Sequence, residues 1–120
     1  MEFRERWEEL AEKEYDFYMS QPASFIEEAV RAGNFGNYYQ IWEVVPTKLS
    51  LEKIGWDMFK VLKTDLPYLT RFHCAQALVQ MTDASDHGIQ AAMVSAEAQF
   101  NVPENLEKLK HIIENKLASK

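Results

Sequence analysis

Apolar residues along this 120-residue chain recur at three- and four-residue spacings nearly throughout, and no run of five or more residues alternates cleanly between apolar and polar positions. The pattern predicts an all-α protein of six or seven helices. A first helix over Phe3 to Met19 ends at Ser20-Gln21-Pro22, because proline is tolerated only in the first turn of the helix that follows. A second covers Ala23 to Ala32, closed by Gly33 as a left-handed residue. Asn34-Phe35-Gly36-Asn37 then reads as a turn, with Asn37 capping a third helix from Tyr38 to Val45 that Pro46 stops.

Ser50 is placed to cap a fourth helix, Leu51 to Lys63, and Asp65 with Pro67 starts a fifth, Leu66 to Met81. So short a connection implies antiparallel neighbours. Several capping residues in Thr82 to Asp86 precede a sixth helix, His87 to Gln99, and Asn101-Val102-Pro103-Glu104 opens a seventh that ends near Leu117. No stretch is long or polar enough to serve as a linker, so residues 1–120 are expected to form one domain of antiparallel helical hairpins.

Within the fifth helix, the run Asp65-Leu66-Pro67-Tyr68-Leu69-Thr70-Arg71-Phe72-His73-Cys74-Ala75-Gln76-Ala77-Leu78 resembles the second helix of a HEAT repeat. An acid and a proline precede Arg71, and Ala77 and Leu78 follow it by six and seven positions. Thr70 departs from the hydrophobic residue usual before the arginine, and no second copy occurs at a period of about 40 residues. The resemblance implies stacked helix pairs and a protein-binding surface rather than catalysis.

Composition adds limits. With 47% hydrophobic residues and only four glycines and four prolines, the chain is neither a disordered tail nor a low-complexity segment. No run approaches the roughly 20 apolar residues of a membrane span, and the N-terminal residues lack a secretory apolar region, so a cytoplasmic protein without membrane contact is expected. Cys74 stands alone, which excludes an intrachain disulfide and the usual cysteine zinc sites. Residues 1–46 hold ten acids and four bases, whereas residues 47–120 hold nine of each. The net charge of −6 thus belongs to the first third, which disfavours nucleic acid and favours basic proteins.

That charge has a face. On a helical wheel of about 100° per residue, Glu2, Glu5, Glu8, Glu9, Glu12 and Asp16 form one ridge of the first helix, opposite Phe3, Trp7, Leu10, Ala11, Phe17 and Tyr18. Like charges at these spacings repel by ~0.2–0.5 kcal/mol per close pair, which a basic partner would relieve. Glu14 instead falls inside the apolar stripe, and Arg71 points with Cys74, Ala75 and Leu78 on the fifth helix. A buried carboxylate needs a partner, so either the two form an ion pair or Glu14 lies at an edge and reaches water.

The fourth helix buries Leu51, Ile54, Met58, Val61 and Leu62, leaving Lys53, Trp56, Lys60 and Lys63 on its outer side. Either this strip is covered by another segment, or Trp56 anchors an acidic partner. The ridge of a second copy is one such surface, so a two-fold homodimer is also expected to be open to this chain. Tyr38, Tyr39 and Trp42, beside a glycine-bearing turn, are the residues for a small-molecule cleft.

Catalytic patterns are sparse. His73, His87 and His111 fall on different helices without metal-ligand spacing, Cys74 reads as a small core residue, and no phosphate-binding or nucleophile motif occurs. No cofactor or metal is expected. The reading is a small acidic, non-enzymatic interaction module, an adaptor or an inhibitor of the immunity-protein kind, binding through Glu5, Glu8, Glu12 and Asp16 or through Lys53, Trp56, Lys60 and Lys63. The alternative is a ligand-binding or enzyme domain built on Glu14, Arg71, Tyr38, Tyr39 and Trp42.

Overall fold

A computed structural model describes residues 3–100 and 102–119, except for the side chains of residues 3–5. Expectations resting on Glu2, on Asn101 and on the side chains of Phe3 and Glu5 lie outside the described residues. Among those described there are seven α-helices and no strand: α1 (Phe3–Met19), α2 (Ala23–Ala32), α3 (Ile41–Lys48), α4 (Leu51–Leu62), α5 (Tyr68–Thr82), α6 (Ala91–Phe100) and α7 (Glu104–Ala118). A 3-10 turn, Ala84–His87, stands between α5 and α6.

Where the ends follow the sequence, the cause is local hydrogen bonding. Gly33 (φ 75°) closes α2 as expected: its N–H donates to the Val30 carbonyl at 3.2 Å and that of Asn34 to the Ala29 carbonyl at 2.9 Å. Ser50 caps α4, its hydroxyl oxygen accepting the Lys53 N–H at 3.3 Å.

Three helices differ by two residues or more in where they begin or end. The third helix begins at Ile41 rather than Tyr38, because Tyr39 has φ 63° and the preceding amides are engaged elsewhere. It also runs through Pro46 to Lys48, with the Leu49 N–H donating to the Val45 carbonyl at 2.9 Å. Proline removes only the bond toward the preceding turn, so the residues after it stay helical. Helix α5 begins at Tyr68, since the residue before Pro67, Leu66, is barred from helical geometry. The expected sixth helix is interrupted by Gly88 at φ 77° and resumes at Ala91.

Contacts group the chain into two compact units, Met1–Leu49 and Ser50–Lys120. In the first, α3 packs on α1 and α2, and the buried side chains include Ala11, Tyr18, Ile26, Val30, Ile41, Val44 and Val45. In the second, α4 packs on α5 and α7, and α6 on α5 and α7. Its fully buried residues include Ile54, Met58, Leu62, Leu78, Val94, Leu109 and Ile113, of which the first three belong to the stripe expected of the fourth helix. At Gly55 the tight neighbour belongs to the same helix: a Cβ there would lie 2.7 Å from the Leu51 side chain, whereas Ile113 would stand at an ordinary 3.9 Å.

Candidate functional site

The ionisable residue on the apolar side of α1 has an unexpected set of partners. Ala11 and Tyr18 are buried on either side of Glu14, which is half-buried itself. Its Oε1 accepts the Asn37 N–H at 2.7 Å, and its Oε2 accepts those of Tyr38 at 2.9 Å and Gln40 at 3.3 Å. The Gln40 side chain donates in turn to the Tyr38 carbonyl at 3.1 Å. The carboxylate therefore takes up the amides that precede α3, as a capping side chain would, but from another helix.

The partners found for Glu14 are thus backbone amides of its own compact unit, whereas Arg71 belongs to the other unit. Arg71 is 6% exposed, and its Nε is a buried atom without a hydrogen-bond partner. Tyr18 shares the neighbourhood of the carboxylate. Burial, and secondarily the negative charge of Glu14, raise its phenol above the ordinary tyrosine value.

The same device recurs in the second unit. Pro103, the residue before α7, offers no side-chain cap. Glu97 of α6 supplies one instead, its Oε1 accepting the Leu106 N–H at 3.1 Å and the Asn105 N–H at 2.5 Å, while Oε2 accepts from the Asn105 side-chain amide. Sequence reasoning passed over Glu97. The signal available was Pro103 itself, which leaves the first amides of α7 to a remote acceptor.

Of the aromatic residues assigned to a cleft, Trp42 is core at 2% exposure, packed at 5.0 Å between ring centroids against Phe35. Its Nε1, like the Arg71 Nε, is a buried side-chain atom without a hydrogen-bond partner. Tyr38 and Tyr39 are half-buried, and Tyr38 meets the exposed Trp7 edge to face at 5.9 Å. The expectation that Trp42 lines an open cleft is thereby corrected.

Charged residues stand elsewhere, on outer faces. Glu8, Glu9, Glu12 and Asp16 of α1 are all exposed, with Lys13 offsetting Glu9 at 3.2 Å. Lys53, Trp56 and Lys60 of α4 and Lys63, which follows its last residue, are exposed too, Trp56 by 41%. Beneath them lies Phe59, which the spacing of the sequence alone did not single out. The Trp56 ring meets it edge to face at 6.0 Å, and the Lys63 Nζ stands 5.7 Å from its centroid.

Cys74 is buried, its thiol donating to the Met58 carbonyl at 3.4 Å, and burial pushes its pKa well up, the opposite of a nucleophilic cysteine. Among the described residues no three His, Cys, Asp or Glu side chains gather as metal ligands, and no helix is long and apolar enough to cross a membrane. No family model, no curated protein and no solved structure matches this chain.

Proposed function

We propose that this chain is a non-enzymatic protein–protein interaction module, an adaptor or inhibitor that presents the acidic ridge of α1 to a basic partner. The observation that carries the reading is the division of labour among the acids of one helix. Glu14 is occupied as an architectural clasp by three backbone amides, whereas Glu8, Glu12 and Asp16 stand exposed on the same helix. A carboxylate held in this way is suited to fixing a loop rather than to moving a proton. Exposed like charges along one ridge generate a field that accelerates encounter with a basic surface, more than they stabilise the fold. The likeness of residues 65–78 to a HEAT helix, with its protein-binding associations, points the same way.

The test is affinity capture from the source cell with the native chain and with the triple variant Glu8→Lys, Glu12→Lys, Asp16→Lys. A basic protein retained by the native chain at low salt, and lost with the variant, supports the proposal. Equal capture by both removes the ridge as the binding surface.

A further inference from the structure

The end of α1 and the start of α2 leave an aromatic pair at the surface of the first compact unit. Phe17 is 49% exposed and Phe25 38%, and their rings meet edge to face with centroids 5.8 Å apart. Phe17 also meets the ring of the buried Tyr18 at 5.4 Å, so it is held on two sides while much of its surface stays open to water. The nearest bases along the two helices are already engaged: Lys13 meets Glu9 at 3.2 Å, and Arg31 meets Glu27 at 2.5 Å. Glu12 and Asp16 of α1 and Glu28 of α2 are exposed and have no ion-pair partner among the described residues. Asp16 adjoins Phe17 in the chain, and Glu28 stands one turn after Phe25 on the same side of its helix. Both rings therefore lie beside carboxylates that the chain itself leaves uncompensated.

We propose that this aromatic pair seats an arginine of the basic protein partner, its guanidinium lying against the Phe17 and Phe25 rings and donating to the carboxylate of Asp16 or Glu28. The inference rests on the acidic-ridge reading and names the side chain that such a partner inserts. Charge selects the sign of the occupant, because residues 1–46 hold ten acids against four bases and the acids beside the rings lack a cation. An acidic segment would meet like charge there. The rings then select arginine over lysine. A planar guanidinium is weakly hydrated, stacks on an aromatic face and still presents a fork of N–H donors to a carboxylate, whereas an ammonium is a compact, strongly hydrated charge. Phe17 is held by Tyr18 and Phe25 before any partner arrives, so little ordering of the seat opposes binding.

The experiment titrates the full chain into a fluorescein-labelled hexapeptide of alternating arginine and glycine at low salt, followed by anisotropy. A companion peptide carries lysine in place of every arginine. The lysine peptide is expected to bind about threefold to fivefold more weakly. Phe17→Leu and Phe25→Leu, which keep an apolar side chain and remove the ring, are each expected to weaken the arginine peptide about threefold and to reduce its advantage over lysine. Glu28→Gln is expected to weaken both peptides. Each variant is compared at native helical circular dichroism. No binding of the arginine peptide at millimolar concentration, equal binding of the two peptides, or binding unchanged in both ring variants overturns the inference. Sedimentation showing a native dimer that Phe17→Leu dissociates overturns it as well, because the occupant is then a second copy. The ring variants and Glu28→Gln leave Glu8, Glu12 and Asp16 in place, so the ridge reading fails separately, when the Glu8→Lys, Glu12→Lys, Asp16→Lys variant binds the lysine peptide as tightly as the native chain.

Discussion

Gly36 and Glu14 are fitted to one another: a Cβ at position 36 would come within 2.6 Å of the Glu14 Oε1 and 2.7 Å of the Tyr18 hydroxyl. Gly36 also has φ 73°, a conformation that other residues adopt only under strain. A side chain there displaces the carboxylate from the amides it holds, so two penalties fall together. Gly36→Ala is expected to destabilise the fold by ~2–3 kcal/mol. Gly33, with φ 75° but nothing within 4 Å of where a methyl group would stand, is the control, and Gly33→Ala is expected to cost only about 1 kcal/mol. Urea denaturation of the two variants checks this, and equal losses would show that the fit to Glu14 is unimportant.

Removing the clasp itself gives a more local signal. Glu14→Ala leaves the Asn37, Tyr38 and Gln40 amides without their acceptor. Water reaches part of this half-buried site, so the expected loss is ~1–3 kcal/mol rather than the sum of three charged hydrogen bonds. Amide exchange read by NMR should accelerate at those residues ahead of the rest of the first unit. Protection unchanged at all three would contradict the assignment. Glu97→Ala is the counterpart in the second unit, with ~1 kcal/mol expected for an uncapped α7 and faster exchange at Asn105 and Leu106.

Much of this was legible in the sequence, for reasons that particular residues make clear. The stripe Leu51, Ile54, Met58, Val61 and Leu62 is buried as its spacing demands, and Gly33 and Ser50 end and begin helices through hydrogen bonds between chain neighbours. Glu14 was visible as an oddity on an apolar face, but its partners were not, because backbone amides of a loop leave no side-chain signature. The first helix misled in another way. Trp7 and Phe17 share the apolar side of the wheel with Ala11 and Tyr18, yet they are 40% and 49% exposed, since a wheel gives direction without saying how wide a stripe the neighbours cover. For the candidate surfaces, sequence spacing placed Lys53, Trp56, Lys60 and Lys63 on one exposed side of the expected fourth helix. It did not reveal that Phe59, Ala98 and Leu106, from three different helices, line one groove, because that depends on tertiary packing.

Burial of Cys74 and Tyr18 sets the alkaline limb of stability. Each has its native pKa raised above its ordinary value, Cys74 by burial and Tyr18 by burial and then the charge of Glu14. The native state therefore keeps protons that the unfolded chain releases, and stability falls as pH rises from the ordinary pKa of each group toward its raised native one. Below both ordinary values the contribution is fully present. Cys74→Ala is expected to flatten the decline at its lower-pH end and Tyr18→Phe at the higher, measured by denaturant titration across alkaline pH. A decline unchanged in both variants would assign it to other groups. Native Cys74 should also react with iodoacetamide only at the rate of unfolding.

The proposed steering of a basic partner by the acidic ridge of α1 is tested most directly by the rate of association. Once a captured partner is in hand, stopped-flow mixing with the native chain should show the association rate constant falling steeply as salt shortens the Debye length from ~30 Å at 0.01 M to ~10 Å at 0.1 M. The Glu8→Lys, Glu12→Lys, Asp16→Lys variant, retaining native helical circular dichroism, should associate more slowly at low salt and lose most of that dependence. An association rate for the folded variant equal to that of the native chain at every salt concentration would contradict the account.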